Sequence, residues 1–435
     1  MTPKPVSSPW FALSLLLGIN LFNYLDRYVL AAVEPLISKD LFPYDTDAKG
    51  KVGLLATAFL LSYMLLAPLF GWLADRLSRW HLIAFGVAIW SLASGASGLA
   101  TTFTLLLVTR VFVGIGEAAY GPAAPTIIAD LFPIAKRGKV LSWFYVAIPV
   151  GSAIGYGFGG YFGEHYGWRI PFYLVTIPGL LLAILCLPMK DPRIALQKAS
   201  LAPPKKSIRL QDVLALFKIP SYAYNTAAMA AMTFAIGGIS FWLPSYLFTY
   251  RAADFGTTPS LGQINLTFGA ITVLAGLTAT LLGGWLGDRL RPRFPSAYFL
   301  VSGIAIGLSF PCILAILYCP FPIAWIFVFL AVFFLFFNTG PSNTALANVS
   351  PPAIRSTAFA INILVIHLLG DAISPPLIGW ISDRSDMNKA FLVVAATTLL
   401  ASLLWLLGAR FLGRDTETIA RLENPLHSPT SPTQG

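Results

Sequence analysis

The 435-residue chain is too apolar to fold as the two or three soluble domains that its length alone would suggest. Hydrophobic residues make up 56% of it and charged residues only 11%, and its mean hydropathy is +0.72, whereas soluble proteins carry about a quarter charged residues. This composition excludes a disordered chain, and an odd set of cysteines inside apolar runs, Cys186, Cys312 and Cys319, excludes a disulfide framework.

Twelve apolar runs follow one another along the chain, each long enough to cross a bilayer as a helix of about 20 residues. We predict spans at 10–33, 53–74, 81–101, 104–131, 140–163, 170–189, 222–249, 263–287, 296–318, 322–348, 357–381 and 390–412. The sequence therefore predicts an all-α membrane protein with twelve transmembrane helices.

The positions of Lys and Arg predict how these spans are oriented. Twelve spans place both termini on one side of the membrane, and that side receives 20 of the 29 Lys and Arg residues against 7 on the other. Because cytoplasmic loops carry the excess of positive charge, both termini are expected in the cytoplasm of a multi-pass inner (plasma) membrane protein. Attraction to membrane lipids then explains the net charge of +10, and no nucleic-acid partner is required.

Span one contains two adjacent charged residues, Asp26 and Arg27, close to Asn23 and Tyr24. A charge at bilayer depth costs at least about 2.5–3.5 kcal/mol, so it is expected to be functional and to have a partner. We expect this polar strip to face a central cavity, where Arg27 suits the phosphate or carboxylate of an amphiphile and Asp26 can hold a cation when the site is empty. The alternative is a purely structural network within the bundle.

A motif after span two recurs in the second half of the chain. The string Gly71–Leu77, GWLADRL, matches Gly284–Leu290, GWLGDRL, and Arg137 matches Arg355 at nearly the same offset. A weaker echo, Gly379–Arg384, follows span eleven. Internal repeats are typical of secondary transporters, whose substrate site lies between the repeats. The predicted domains are an N-terminal six-helix bundle at 1–189, a cytoplasmic linker at 190–221, a C-terminal six-helix bundle at 222–413 and a cytoplasmic tail at 414–435.

The repeated motif suits a conformational latch at the cytoplasmic helix ends. Gly71 would let another helix approach closely, and Asp75 could bind the backbone N–H groups at the start of span eleven near Ser356, or pair with Arg79. The predicted latch residues are Gly71, Asp75, Arg76, Arg79, Arg137, Asp288 and Arg289. The alternative is simple topology, in which positive charge accompanies a turn-forming Asp.

Span four carries Arg110 and Glu117, which are seven residues apart and therefore share one helix face. A carboxyl group at bilayer depth that can take up a proton is what proton coupling requires. Adding the repeat offset to Glu117 reaches Leu330–Leu335, where every residue is apolar. The intramembrane charges are thus not repeated with the architecture, and we expect them to serve the ligand or the proton. The alternative is a static Glu–Arg pair.

The other candidate site residues are spread over spans five, seven, ten and eleven. In span eleven His367 and Asp371 are four residues apart, which fits a proton relay and a satisfied structural pair equally well. A metal site is not expected there, because no third ligand is nearby. Further residues that could line an amphipathic cavity are Tyr145, Trp242, Asn338 and Asn343.

Span five also has a stripe of small residues, spaced by four. The stripe comprises Gly151, Gly155, Gly159 and Gly163. It predicts a very close helix contact.

Several of these strings resemble a known family. Gly71–Arg79 resembles the loop 2–3 signature of the major facilitator superfamily, and Arg110–Ala118 resembles its fourth-helix motif. More narrowly, the strings that look like the Spinster branch are Asn23–Tyr28, Gly114–Ala118, Pro125–Phe132 and His367–Asp371. The resemblance implies the major facilitator fold with spans one and four as neighbours, so that Arg27 would be the partner of Glu117. Spinster members are similar to transporters of sphingosine-1-phosphate and lysophospholipids, often thought to couple to protons, and the compact loops indicate a bacterial member.

Together these observations predict a secondary active transporter of an amphiphilic organic anion, either a lysophospholipid or a sphingosine-1-phosphate-like lipid, driven by protons through alternating access. The alternatives are proton-coupled transport of a small sugar or organic anion and, from another class, a membrane-embedded enzyme that acts on lipid. The chain has no phosphate-binding loop for ATP, no Gly-x-Ser-x-Gly nucleophile and no His-Glu-x-x-His zinc pair. We therefore expect no enzyme activity, cofactor or metal. The expected partners are the amphiphilic substrate, protons and membrane lipids, with the protein acting as a monomer.

Overall fold

A computed structural model of the protein describes residues 8–74, 76–132, 134–191, 210–255, 259–351 and 354–423. All the regular structure in these ranges is helical, and they contain no strand. Ten helical segments of the described chain are long and apolar enough to cross a membrane. The other two predicted spans, 10–33 and 140–163, also form helices. Asn, Asp and Arg in the first, and Gly and Tyr in the second, make these two less apolar.

Eight helices are described before the linker, and two of them, α2 and α6, are short. They are α1 (Pro9–Ala32), α2 (Glu34–Leu41), α3 (Ala48–Ala74), α4 (Arg79–Gly98), α5 (Phe103–Tyr120), α6 (Ala124–Leu131), α7 (Ile134–Tyr166) and α8 (Arg169–Cys186). A proline lies in the first turn of α1, α2 and α6. Proline is tolerated there because its missing N–H would have no helical partner, and its fixed φ suits the helix.

Nine further α-helices are described from residue 210 onward, and the first of them lies within the predicted linker. They are α9 (Leu210–Leu216), α10 (Pro220–Tyr250), α11 (Leu261–Leu290), α12 (Ala297–Tyr318), α13 (Ala324–Phe337), α14 (Thr339–Val349), α15 (Arg355–Ile366), α16 (Ser374–Arg384) and α17 (Met387–Glu423). A 3-10 turn at Ala252–Phe255 follows α10, and a π-helical turn at His367–Asp371 lies between α15 and α16.

Three predicted spans are interrupted, which the apolar runs did not reveal. Span four divides into α5 and α6 around Gly121-Pro122, span ten divides into α13 and α14 just before Gly340-Pro341, and the π-helical turn interrupts span eleven. Proline cannot donate a helical hydrogen bond and crowds the preceding turn, so a regular helix is disfavoured there. The two Gly-Pro pairs have almost the same separation along the chain as Arg137 and Arg355, so the interruption belongs to the internal repeat.

The chain forms two compact units. Unit 1 takes the described residues of Met1–Pro204, Gly238–Val273 and Ala372–Ala390, so it adds parts of α10 and α11, all of α16 and the start of α17 to the first-half helices. Unit 2 takes those of Lys205–Gly237, Leu274–Asp371 and Phe391–Gly435. The division at the linker into two six-helix bundles stays a prediction.

In unit 1, the core joins α1, α4, α5 and α7 through large aromatic side chains, among them Trp80, Trp90, Tyr120 and Phe144. In unit 2, buried Asn225 joins three helices: its Nδ2 donates to the Ser342 carbonyl at 3.1 Å, and its Oδ1 accepts from Trp405 Nε1 at 2.8 Å. A buried amide is tolerated because these bonds replace its hydration.

The glycine stripe of span five meets α1, as its spacing predicted. A Cβ atom added to Gly151 would lie 2.6 Å from the Leu21 carbonyl oxygen, and one added to Gly155 would lie 2.5 Å from that of Leu25. These distances are shorter than real Cβ contacts, so only glycine lets the two backbones come this close. The stripe thereby fixes the position of α1, which carries the charged residues of span one.

We expect Gly155→Ala to destabilise unit 1 by about 1–3 kcal/mol, because its methyl group would overlap the α1 backbone. Gly284→Ala is the matched control, since an added Cβ there meets no heavy atom within 4 Å and alanine favours the helix. The thermal melting of the detergent-purified variants measures the difference. Equal melting temperatures for Gly155→Ala and the wild type would contradict the close contact.

Candidate functional site

A cavity of about 140 Å³ lies among first-half helices of unit 1. It is bounded by α1, α3, α7 and the broken segment between α5 and α6. Its lining residues are Asn20, Asn23, Tyr24, Arg27, Tyr63, Glu117, Tyr120, Gly121, Pro125, Phe144 and Ile148. Polar and charged groups thus share the cavity with aromatic and aliphatic ones, as a binding site for an amphiphile would require.

Arg27 of α1 and Glu117 of α5 form an ion pair at this cavity. Arg27 Nε donates to Glu117 Oε2 at 2.7 Å, and Arg27 Nη2 lies 2.6 Å from the same oxygen. The Glu117 side chain is fully buried, whereas the Arg27 side chain is 22% exposed. The arginine therefore presents a cation to the cavity while the carboxylate holds it from behind.

Both contacts of Arg27 use one carboxylate oxygen of Glu117. The Asn23 side chain is also within hydrogen-bonding reach of Glu117. A proton on Glu117 would remove the negative charge that makes the hydrogen bond to Arg27 strong.

Three aromatic rings surround the Arg27 guanidinium. Its Cζ lies 4.8 Å from the centroid of Tyr24, 4.9 Å from that of Phe59 and 5.4 Å from that of Tyr63. These distances are within the range of cation–π attraction, which strengthens when the groups are shielded from water. The rings hold the guanidinium in place without neutralising its charge, so it stays available to an anion.

Asp26 does not line the cavity, so the expectation that it accompanies Arg27 there is wrong. It is 2% exposed and accepts a short hydrogen bond from Ser94 of α4. Consecutive residues of an α-helix point about 100° apart, and with Arg27 facing the cavity Asp26 faces α4.

Arg110 is also buried away from the cavity. It is 1% exposed, and its Cζ lies 5.9 Å from the Phe59 ring centroid. Of the four charged side chains that α1 and α5 carry at this depth, only Arg27 and Glu117 line the cavity.

The candidates from the second half do not line this cavity. Trp242 is fully buried and its Nε1 donates to the Pro375 carbonyl at 2.8 Å, which is a packing role. Asn338 is buried with its amide bonded to the Leu335 carbonyl at 2.8 Å, whereas Asn343 is exposed and bonds within its own helix. The side chain of Tyr145 lies outside the described residues.

His367 and Asp371 are in contact, as their spacing predicted. His367 Nδ1 lies 2.9 Å from Asp371 Oδ1, and the two side chains are 31% and 22% exposed. The π-helical turn carries both residues, and such turns occur often at functional sites. The pair belongs to unit 2 and does not line the cavity of Arg27.

The predicted latch residues Arg76 and Arg79 make their contacts within unit 1. Arg79 is buried and binds Asp191 and Asp130, with Nη2 at 2.5 Å and 2.6 Å from their carboxylates. Arg76 lies over the Trp72 ring. Asp75, the proposed partner of Arg79, lies outside the described residues, as do the side chains of Arg137 and Ser356.

In the second copy of the motif, Asp288 accepts from the Tyr298 hydroxyl at 2.8 Å and Arg289 lies over the Trp285 ring. Among the described residues, the atom nearest to a Cβ added on Gly71 is Pro122 Cβ, at 3.9 Å. The very close helix approach expected at Gly71 therefore has no counterpart in the described part of the chain.

Sequence reasoning included Tyr24 but missed the other two aromatic residues around Arg27. Phe59 and Tyr63 lie four residues apart in span two and so share a helix face, but aromatic residues are common in membrane helices and this spacing alone does not distinguish a site from packing. The Gly121-Pro122 pair beside Glu117 was a stronger signal. Interrupted helices often mark the substrate site of a transporter.

Comparison with known proteins gives concordant matches over most of the chain. The Major Facilitator Superfamily pattern matches residues 16–370 and 252–432. Protein spinster homolog 1 of Homo sapiens is 38% identical over 392 residues, which cover 86% of this chain and 73% of that protein. Protein spinster of Drosophila melanogaster is 35% identical over 381 residues, covering 86% of this chain and 62% of that protein.

Two solved structures share the fold. A crystal structure of a bacterial homolog to the human lysosomal transporter Spinster, inward-facing and unoccupied, matches with a TM-score of 0.75 at 22% identity over 96% of this chain and 98% of that one. A D-xylose-proton symporter matches with a TM-score of 0.73 at 18% identity over 92% and 97% of the two chains. The predicted all-α transporter fold is confirmed.

Proposed function

The chain belongs to the Spinster branch of the major facilitator superfamily, whose members are transporters rather than enzymes, and from that premise we propose that it moves an amphiphilic organic anion across the membrane in exchange with, or together with, protons. The proposed substrate is a lysophospholipid or a sphingosine-1-phosphate-like lipid. The proposed cycle is alternating access, in a protein that lies in the inner membrane as a monomer with both termini in the cytoplasm.

The cation at the cavity is the observation that supports an anionic substrate most directly. Arg27 is permanently charged and offers a planar set of donors that matches phosphate or carboxylate. Its exposed edge lines the cavity and its buried edge is held by Glu117. A headgroup that enters the cavity would meet this guanidinium together with the amide groups of Asn20 and Asn23.

The apolar part of the lining supports an amphiphile over a simple anion. Phe144, Ile148 and Pro125 contribute aromatic and aliphatic surface beside the polar groups. A lipid with one chain can place its headgroup at Arg27 and its first methylenes against these residues. Each methylene removed from water contributes about 0.8 kcal/mol.

The coupling to protons is proposed through competition at Arg27. An ionised Glu117 and an anionic headgroup both attract the same guanidinium. A proton on Glu117 weakens its hold and favours the ligand, and ligand release favours loss of the proton. Such linkage between two sites is reciprocal and is usually worth about 1–3 kcal/mol.

A small sugar or organic anion is the second candidate. The cavity of about 140 Å³ is small and carries asparagine and tyrosine side chains that suit hydroxyl groups. Under this reading the apolar residues would pack against the solute rather than a lipid chain.

Transport in proteoliposomes tests the proposal. Purified protein is reconstituted, and uptake of a fluorescent lysophosphatidate is compared with uptake of a radiolabelled pentose or hexose under an imposed pH gradient. Gradient-dependent movement of the lysolipid, absent from empty liposomes, is the expected result. Movement of the sugar alone would favour the second candidate. Uptake that does not depend on the pH gradient would exclude proton coupling.

A further inference from the structure

Two carboxylates in unit 1 cap helices that belong to the other half of the chain. Asp383, at the end of α16, accepts hydrogen bonds from the backbone N–H groups of Lys49 at 3.3 Å and Gly50 at 2.8 Å. These donors lie in the first turn of α3, where the helix itself provides no acceptor. A carboxylate at a helix N-terminus is also favoured by the helix dipole. A second-half side chain thus completes a first-half helix.

The reverse arrangement occurs at Glu164, near the end of α7. Its carboxylate accepts from the N–H groups of Leu261 at 3.2 Å and Gly262 at 2.9 Å, and from the Ser260 hydroxyl at 2.5 Å. Leu261 begins α11. Here a first-half side chain completes a second-half helix. We refer to Asp383 and Glu164 as the paired caps.

The paired caps are related by the internal repeat. Glu164 ends the string Gly160-Tyr161-Phe162-Gly163-Glu164, and Asp383 ends Gly379-Trp380-Ile381-Ser382-Asp383 in the second half. In both strings a glycine and an aromatic residue come first, and the acid follows a small residue. The glycines whose N–H groups they bind, Gly50 and Gly262, are separated by almost the same length of chain as the two acids. Within the internal repeat, the string Gly379–Asp383 of span eleven therefore corresponds to Gly160–Glu164 of span five, and not to the motif after span two.

Glycines bring the capped helices close enough for these bonds to form. A Cβ atom on Gly53 of α3 would lie 2.5 Å from the Pro376 nitrogen of α16. A Cβ on Gly160 of α7 would lie 2.8 Å from the Asn265 Cβ of α11. Both caps therefore require tight contact of one first-half helix with one second-half helix, and any separation of either helix pair breaks the corresponding cap.

We propose that the paired caps are a latch that holds the two halves of the chain together at the end where α3 and α11 begin, and that the latch opens when this end opens during transport. The positive-inside pattern places this end on the outer side of the membrane. The inference rests on the transporter assignment and not on the lipid or the proton. Its test needs no substrate, so its failure would leave the proposed substrate untouched.

A local cap on a neighbouring helix supplies the matched control. Asp386 accepts from the N–H group of Lys389 at 2.8 Å, and both residues belong to the second half. Removing its carboxylate weakens one helix start without releasing any contact between the halves. Asp386→Ala should therefore leave the opening equilibrium unchanged.

Pulsed electron paramagnetic resonance measures that equilibrium directly. Spin labels are placed at Tyr44, which is 98% exposed, and at Tyr318, which is 68% exposed, in full-length protein whose three cysteines are replaced by serine. Removing a helix cap changes a two-state ratio by about two- to thirtyfold. Asp383→Ala and Glu164→Ala should each raise the ratio of long to short distances by such a factor, and the double variant should raise it by about the product.

The Glu164 variant is the critical one, because neither label lies on the helices that Glu164 joins. A shift in the distance between Tyr44 and Tyr318 would show that both caps report one shared opening rather than local fraying. If the alanine variants shift the ratio no more than Asp386→Ala does, the latch is refuted.

If an alanine variant does not fold, Asp383→Asn or Glu164→Gln is measured instead. Each amide keeps an oxygen acceptor but loses the charge, so a smaller shift in the same direction is expected. Amide variants with the wild-type ratio would also refute the latch.

Discussion

Arg27→Ala is expected to abolish binding of an anionic lysolipid at every pH between about 5 and 8. The guanidinium is the cation that lines the cavity, and no other positively charged residue of the described chain does so. Removing one member of a buried charge pair costs about 2–5 kcal/mol, which corresponds to a loss of affinity of at least about thirtyfold. Isothermal titration calorimetry of the purified protein with lysophosphatidate measures this loss.

Two further variants separate loss of charge from loss of structure. Arg27→Lys keeps the charge but loses the planar donor set, so its affinity should lie between those of the wild type and Arg27→Ala. Arg76→Ala removes an exposed arginine that contacts Trp72 and does not line the cavity, and it should bind as the wild type does. Wild-type affinity in a correctly folded Arg27→Ala variant would place the anion site elsewhere.

Glu117→Gln is expected to retain ligand binding and to lose its pH dependence. In the wild type, ionised Glu117 competes with the headgroup for Arg27, so affinity should fall as the pH rises and Glu117 loses its proton. A coupling of about 1–3 kcal/mol corresponds to a change of about 5- to 150-fold between the two limits. Glutamine is neutral at every pH, so the variant should stay near the high-affinity limit throughout.

The measurement is lysolipid affinity at intervals between about pH 5 and 8 in the wild type and the variant. Asp45→Asn is the control, because Asp45 is a titratable group that pairs with Lys51 and does not line the cavity. The control should keep the wild-type profile. An unchanged pH dependence in Glu117→Gln would show that Glu117 does not carry the coupled proton. Asp26 or His367 would then be the proton-binding residue.

The sequence shows the residues of the paired caps, but it does not predict which helix starts they cap. The sequence shows that Gly379–Arg384 resembles the motif after span two, but a similar string at the opposite membrane face cannot have the same neighbours. The helix start that Asp383 caps is far from it along the chain, in the first half. Only the folded structure brings that helix start to the carboxylate.

The sequence by itself determined the properties that depend on local composition and spacing. Apolar runs of span length, the Lys and Arg distribution and the internal repeat predicted a twelve-helix transporter, because a bilayer imposes length and charge rules on every segment separately. The spacing of Gly151, Gly155, Gly159 and Gly163 likewise predicted a close contact, which the structure forms with α1. The spacing of His367 and Asp371 predicted their contact, since four residues make about one helical turn.

The tertiary structure alone decided which polar side chains meet. Asp26 and Arg27 are adjacent in sequence, yet one faces α4 and the other faces the cavity, because the rotation of α1 is set by its packing against α7 through the glycine stripe. Phe59 and Tyr63 enclose Arg27 only because α3 is placed beside α1. A helix presents its residues in all directions, and the neighbours that face each direction come from distant segments of the chain whose arrangement depends on packing rather than on local sequence.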